Sequence, residues 1–304
     1  MRKIFITAAL CGLLSANAWS GYDKGFEAYA KGDYETAIRE FKDAAAEGDT
    51  KAQLIIGLMY EGGLGVPVNE VEAFKWFGKA AKLGNAEAQY QVGSSYIQGL
   101  GVSKSLEEGV KWYRRAAEQG YAPAQFQLGL SYNMGLGAPQ DYKEAVTWYK
   151  KAAEQDYADA QVTLGIAFAS GRGVPQSDTY AAVWYREAAQ QGDAGAQFLL
   201  SNSYYKGRGV PQDYKEAVKW ARKAAEQKEL NAYYLLGFMQ LEGTGGLLKD
   251  HSQAHAYFNI AAQELEKASK AREGLERFMS NEQIAKAQDL ARRCIQSDYK
   301  YCGW

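Results

Sequence analysis

Gly171-Arg172-Gly173-Val174-Pro175-Gln176 recurs letter for letter at Gly207-Arg208-Gly209-Val210-Pro211-Gln212, 36 residues further on. A Gly-x-Gly loop can cradle a phosphate, so the hexapeptide is either an active-site loop or a turn. Gly171 has equivalents at Gly63, Gly99, Gly135, Gly207 and Gly243, and Gly173 at Gly65, Gly101, Gly137, Gly209 and Gly245. A loop that returns six times at one spacing is punctuation between repeats. Its first glycine suits the left-handed residue that ends a helix, and its second permits the tight path that follows. The next proline (Pro67, Pro139, Pro175 or Pro211) bars helix continuation. Phosphate binding would need a third glycine or a Gly-Lys-Ser/Thr sequence, and Gln176 and Gln212 stand where that glycine would be.

Working outward from the loop, an Ala-Gln dipeptide begins at 52, 88, 124, 160 and 196, with Ala232-Tyr233 in the sixth copy. A tryptophan follows at 76, 112, 148, 184 and 220, each four residues before an Ala-Ala pair; the sixth copy has Tyr257 before Ala261-Ala262. In the third unit Ala124, Leu128 and Tyr132 form one apolar stripe ahead of the loop, and Ala145, Trp148, Tyr149 and Ala152 form another behind it. Each unit therefore reads as helix, glycine turn, helix. The second helix is started by Asn69, Ser105, Asp141, Ser177, Asp213 or Asp250. Glu or Gln three residues on in five of the six predicts capping boxes.

The pattern A-x-A-Q-x-x-L-G-x-x-Y-x-x-G-x-G-V-P through W-Y-x-x-A-A-x-x-G resembles the Sel1-like (SLR) repeat family, relatives of tetratricopeptide repeats, over six copies from 49 to 265. The resemblance implies an all-α fold, a right-handed alpha-alpha superhelix (solenoid) of helix-turn-helix units. It also implies an adaptor role in which the first helices line a concave groove. By that analogy the sixth, tenth and thirteenth residues of each unit approach the groove. The candidate contacts are Asn133, Asn202 and Tyr205 first, then Ser94, Ile166 and Phe238. The apolar sixth-position residues Tyr90, Phe126, Phe198 and Tyr234 fit either groove or core. Aromatics mixed with Asn and Ser suit a peptide-binding surface, so the expected partner is a protein or peptide.

Residues 19–48 read as one ordinary tetratricopeptide-like hairpin, and 266–304 as capping helices, with Ser280 to Gln283 another capping box. Arg2 and Lys3, an apolar run from Ile4 to Leu14 and Ala16-Asn17-Ala18 predict a leader cleaved after Ala18, hence a periplasmic or secreted protein. No later run approaches the ~20 apolar residues of a transmembrane helix. Loss of Arg2 and Lys3 lowers the 35 basic residues to 33 against 36 acidic ones, a formal charge of −3 that argues against a nucleic-acid partner. Loss of Cys11 leaves Cys294 and Cys302, which in an exported chain are expected to form a disulfide.

Chemistry has few candidates. His251 and His255, spaced i, i+4, could share a metal, but H-E-x-x-H lacks its glutamate here and no third ligand is apparent, so no metal and no cofactor is expected. His255 stands where other units carry an apolar residue, which predicts a structural role. Cysteine-rich exported members of the family have been linked to penicillin binding and β-lactam hydrolysis. Ser297-Asp298-Tyr299-Lys300 matches S-x-x-K and Ser131-Tyr132-Asn133 matches S-x-N, yet no K-T-G follows and the paired cysteines of those relatives are missing. A non-enzymatic scaffold is therefore the expectation, with a hydrolase or penicillin-binding protein as the alternative. The basic pairs Arg114-Arg115, Lys150-Lys151 and Arg222-Lys223 are expected on a solvated outer face, with Glu118 and Glu154 as ion-pair partners.

Overall fold

The computed structural model describes residues 21–300, Cys302 and Gly303. The predicted leader and Cys11 lie outside the described residues. Among the described residues the secondary structure is helical throughout, with sixteen helices and no strand. They fall into two compact units, one ending at Ser105 and one beginning at Leu106.

The first unit holds α1 (Gly21–Ala30), α2 (Tyr34–Ala46), α3 (Thr50–Gly62), α4 (Glu70–Lys82) and α5 (Ala86–Gln98). Consecutive helices pack pairwise, and their shared core joins Ile38 and Phe41 of α2 to Ile56 and Met59 of α3. The second unit begins with α6 (Leu106–Glu118), α7 (Ala122–Met134), α8 (Tyr142–Ala153), α9 (Ala158–Ser170) and α10 (Asp178–Gln190). It continues through α11 (Ala194–Lys206), α12 (Tyr214–Glu226), α13 (Leu230–Glu242) and α14 (His251–Ala261) to α15 (Glu266–Glu276) and α16 (Asn281–Gln296). Both α15 and α16 pack on α14, whose residues Ser252 to Phe258 are all buried.

The hexapeptide can now be read atom by atom. Gly171 caps α9 in the left-handed region (φ 68°) and donates its N–H to the Ala167 and Phe168 carbonyls. Gly173 has φ 77°, and a Cβ there would lie 2.2 Å from the Tyr142 carbonyl oxygen in the preceding repeat. The second glycine is therefore a seat between repeats, where backbone meets backbone, as well as a bend in the turn. The same approach recurs at Gly65, Gly101, Gly137, Gly209 and Gly245, with distances of 2.0 to 2.5 Å. Val174 packs against the core, and Gln176 Nε2 donates to Ala169 O at 3.0 Å, tying the loop to the end of α9.

In four of the hairpins a glycine of the first helix faces a ring of the second: Gly57 meets Phe77, Gly129 Tyr149, Gly165 Tyr185 and Gly237 Phe258. The fifth unit departs at both positions together. Ser201 replaces the glycine, Ala221 the ring, and Ser201 Oγ donates to Ala217 O at 2.7 Å. The change is compensated locally, because the volume added on one helix is removed from the other.

The Ala-Gln glutamine is a buried connector. Nε2 of Gln125, Gln161 and Gln197 donates to Ala117, Ala153 and Ala189 carbonyls at the end of the previous helix, at 3.1 to 3.2 Å. Oε1 of the same three accepts from Gln155, Gln191 and Gln227 at 2.7 to 2.9 Å. Both halves of the buried amide are thus satisfied, as burial of a polar group demands. Gln53 makes the first bond, to Ala45 O at 3.3 Å, but residue 83 is Leu, and Gln53 Oε1 is buried without a partner.

Two expectations need correction. At Asn69, Asp141 and Asp213 the capping box closes on one side only. Each side chain accepts from the third-residue amide, while the cap's own N–H is already bonded to the Tyr60, Tyr132 or Tyr204 carbonyl. Glu144 and Glu216 instead accept from the Trp148 and Trp220 ring N–H at 2.9 and 3.1 Å. The complete box forms at Ser280 and Gln283. On the second helices Lys150 does pair with Glu154 at 3.7 Å, but Arg114 reaches the Tyr132 hydroxyl in the next helix. The neighbouring cations Lys79, Arg115, Lys151 and Lys223 stand over Trp76, Trp112, Trp148 and Trp220, 3.6 to 4.7 Å from the ring centres.

Candidate functional site

Side chains free for recognition are those that stacking leaves unused. At the sixth position Phe126 is buried against the Tyr149 and Tyr157 rings, and Tyr234 packs on Phe238 and Phe258. Phe198 is half-buried against the C-terminal core, and Tyr90 is half-buried in the first unit. At the tenth position Ile166 is 48% exposed, while Ser94, Asn202 and Phe238 are half-buried. At the thirteenth, Asn133 and Tyr205 are half-buried, each with its backbone carbonyl held by the loop glutamine, Gln140 at 2.9 Å and Gln212 at 2.8 Å.

In the second unit three of these residues, Asn133, Ile166 and Tyr205, line clefts between successive repeats. One cavity of about 180 Å³ is lined by Asn133, Tyr142, Tyr149, Ile166, Ser170 and Arg172 among others. Arg172 lies 5.3 Å from the centre of the Tyr142 ring, and no carboxylate is within ion-pairing reach of it among the described residues. The Tyr149 hydroxyl is buried without a hydrogen-bond partner. Burial pushes this phenol up to about 12, with Arg172 opposing the shift, so it remains a donor at neutral pH.

Two repeats on, the equivalent cleft of about 590 Å³ is lined by Tyr205, Lys206, Arg208, Tyr214, Glu242 and Thr244 among others. Tyr205 OH bonds both Glu242 carboxylate oxygens at 2.8 and 2.9 Å. Burial first, and then that carboxylate, push the Tyr205 phenol up to about 12. Asn202 holds in α11 the register that Ile166 holds in α9 but lines neither cleft, so of the three leading sequence candidates Asn133 and Tyr205 fall on clefts of one kind. Sequence reasoning missed Tyr149, Arg172 and Glu242. Arg172 stood in the opening hexapeptide as a mere turn residue. A third cleft, of about 400 Å³ and apolar, gathers Phe238, Leu241, His251, Phe258 and the exposed Phe278 near the C-terminal helices.

The catalytic candidates are placed apart. Ser131 Oγ is buried in α7 and donates to Gln127 O at 2.9 Å, and Ser297 Oγ donates to Cys294 O at 2.8 Å just beyond α16. His255 is buried, its Nε2 2.8 Å from Glu276 Oε1, whereas His251 is exposed. Among the described residues no group of three potential ligands could hold a metal, and no helix is long and apolar enough to cross a membrane. Cys294 and Cys302 are joined in a disulfide beside the buried Tyr233, with Gln253 Nε2 donating to Cys302 O at 2.8 Å.

These features define an all-α solenoid of helix-turn-helix repeats, with clefts between successive repeats of its second unit. The chain belongs to the Sel1 repeat family: the Sel1 repeat model matches 50–85, 86–121, 122–157, 158–193, 194–229 and 230–264. It is similar to a protective antigen of uropathogenic Escherichia coli with an SLR fold, at 32% identity and a TM-score of 0.83. That alignment covers 94% of this chain and 62% of the other, so the chain spans less than two thirds of that relative's length. It is also similar to a Sel1 repeat protein from Oxalobacter formigenes, at 34% identity and a TM-score of 0.70, over 80% of this chain and 97% of that one. A search of the curated proteins finds no match. Sel1 repeat proteins are in general protein-interaction scaffolds, which fits the distribution of free side chains.

Proposed function

We infer that this chain is an exported, non-enzymatic scaffold that grips a peptide segment or protein surface along its first helices and the clefts between them. The observation that carries the reading is the division of labour among positions. Glycines, alanines, tryptophans and buried glutamines repeat in identity and are consumed in stacking. Tenth and thirteenth residues repeat in place but differ in kind, and in the second unit Asn133, Ile166 and Tyr205 among them edge inter-repeat clefts. The Cys294–Cys302 disulfide and the leader-like N-terminus support an oxidising compartment, periplasmic or extracellular. The description of the Escherichia coli relative as a protective antigen is consistent with exposure outside the cytoplasm.

The test is crosslinking capture from cell envelope and culture medium, with residues 19–304 beside the Asn133→Ala, Asn202→Ala, Tyr205→Ala triple variant. Circular dichroism would verify that the variant keeps its helices. A partner held by the parent and lost by the folded variant supports the reading. Identical capture by both baits moves binding to another face. A covalent adduct of a labelled β-lactam at Ser131 or Ser297 would replace the scaffold with the hydrolase or penicillin-binding alternative.

A further inference from the structure

The cavity between the third and fourth repeats is built for one kind of side chain. Its walls are aliphatic where Val146, Ile166 and Ala167 line it, and Tyr149 lines it as well. Tyr149 is only 2% exposed, and its hydroxyl is a buried donor with nothing to donate to. An orphaned buried hydroxyl costs about 1–3 kcal/mol, and an arriving acceptor recovers part of it. Arg172 lines the same cavity as a cation with no carboxylate of its own. Two exposed residues with apolar surface, Ile166 and Tyr142, stand in the lining, and the exposed Met134 follows Asn133 in the chain.

Resting on the scaffold reading above, we propose that this cavity receives a glutamate side chain of the bound partner, with its methylenes against Ile166 and Val146. Its carboxylate takes the Tyr149 hydroxyl proton in a hydrogen bond and pairs with the Arg172 guanidinium. A leucine or methionine of the partner would fill the volume but leave Tyr149 unsatisfied. A glutamine would satisfy Tyr149 without neutralising Arg172. A glutamate alone answers the apolar wall, the unused donor and the unpaired cation together.

The experiment is an NMR titration of the full mature chain, carrying labelled tyrosine rings and arginine side chains. The probes are N-acetyl-glutamate N-methylamide, its glutamine counterpart, and N-acetyl-alanine with a free C-terminal carboxylate. The expected result is a saturable shift at Tyr149 and Arg172 with the glutamate probe, at least fivefold tighter than with the other two. Arg172→Gln should erase the preference for glutamate over glutamine. Tyr149→Phe, which keeps the ring against Gly129, should weaken the glutamate probe two- to fivefold while the Arg172 signal still responds. No saturable shift at the two residues, or equal binding of glutamate and glutamine, overturns the proposal, and tighter binding of the C-terminal carboxylate overturns the side-chain assignment. A partner captured along the first helices with the cavity silent would sink this inference alone. Probe binding without any captured partner would leave the cavity standing and remove the scaffold reading.

Discussion

Leu83→Gln should stabilise the first unit, a surface substitution predicted to help because of an atom buried beneath it. In the repeats that follow, the residue 30 positions after the buried glutamine is Gln155, Gln191 or Gln227, and each donates to the Oε1 of Gln125, Gln161 or Gln197. Leu83 holds that place for Gln53, is 60% exposed, and leaves Gln53 Oε1 with no partner. A net intramolecular hydrogen bond is worth about 0.5–1.5 kcal/mol, and relief of a buried orphan lies at the upper end of that range. Against this stands the loss of part of one or two CH₂ groups, each worth about 0.8 kcal/mol when fully buried. Leu83 is mostly exposed, and glutamine keeps two methylenes of its own, so the expected net gain is about 0.5–1 kcal/mol.

Repeat arrays need not unfold as one cooperative unit, so the readout should be local. Hydrogen exchange of α3 amides in Leu83→Gln should slow about two- to fivefold if they open with the unit that the new bond supports. The reciprocal change Gln191→Leu orphans Gln161 Oε1 and should accelerate exchange in α9, with a cost of about 1–2 kcal/mol. In a Gln53→Met background Leu83→Gln has no acceptor to satisfy, and its benefit should vanish. Unchanged or faster α3 exchange in Leu83→Gln, or the same gain in the Gln53→Met background, would refute the ladder as the source of the effect.

Three further outcomes follow from the packing. Gly173→Ala should cost well beyond the about 1–2 kcal/mol of a left-handed alanine, because its Cβ meets the Tyr142 carbonyl, whereas Gly246→Ala has no atom within 4 Å and should show the conformational cost alone in urea unfolding. Ala221→Tyr should destabilise by overpacking against Ser201, and Ser201→Gly in the same chain should recover most of the loss, as a double-mutant cycle by thermal unfolding would show. Burial is the leading cause that raises Tyr149, Tyr185, Tyr205 and Tyr257 to about 12 from the ordinary ~10. A raised folded pKa supplies stability that is complete below the unfolded value and is lost as pH climbs through the folded one. Stability should therefore fall between about pH 10 and 12. An absorbance titration in which all phenols ionise near 10 while the helices persist would contradict this.

The fold was legible because stacking repeats its demands. The 36-residue period of glycines, alanines and tryptophans is visible without any coordinates, and it selects helix-turn-helix units over phosphate loops. Less legible was why certain letters are fixed. Gly173 reads as a bend until Tyr142 O is found against it, and Gln53 reads as a polar residue on a helix until its amide is seen buried between helices. Capping boxes were overread because sequence shows the third-residue glutamate but not the carbonyl nine residues upstream that already occupies the cap's N–H. The cavity was legible only in part. Asn133 and Ile166 emerge from register, whereas Tyr149 looks like core and Arg172 like turn, and only packing brings them to the same walls.

On the scaffold reading proposed above, the central residue of the glycine loop is a place along the array where specificity would be written. It is Leu64, Leu100 and Leu136 in the first three units, then Arg172, Arg208 and Thr244. Gly-x-Gly geometry is indifferent to that residue, since its flanking glycines carry the left-handed turn and the inter-repeat seat. It is therefore free to vary, and it varies from apolar to cationic or polar midway along the chain. Arg172 faces no carboxylate, whereas Arg208 shares its cleft with Glu242, which is already bonded to Tyr205. Of the two cationic clefts only the one between the third and fourth repeats is lined by no carboxylate of its own. An acidic residue of that partner should therefore be read at Arg172 and not at Arg208, so that Arg208→Gln weakens capture less than Arg172→Gln does.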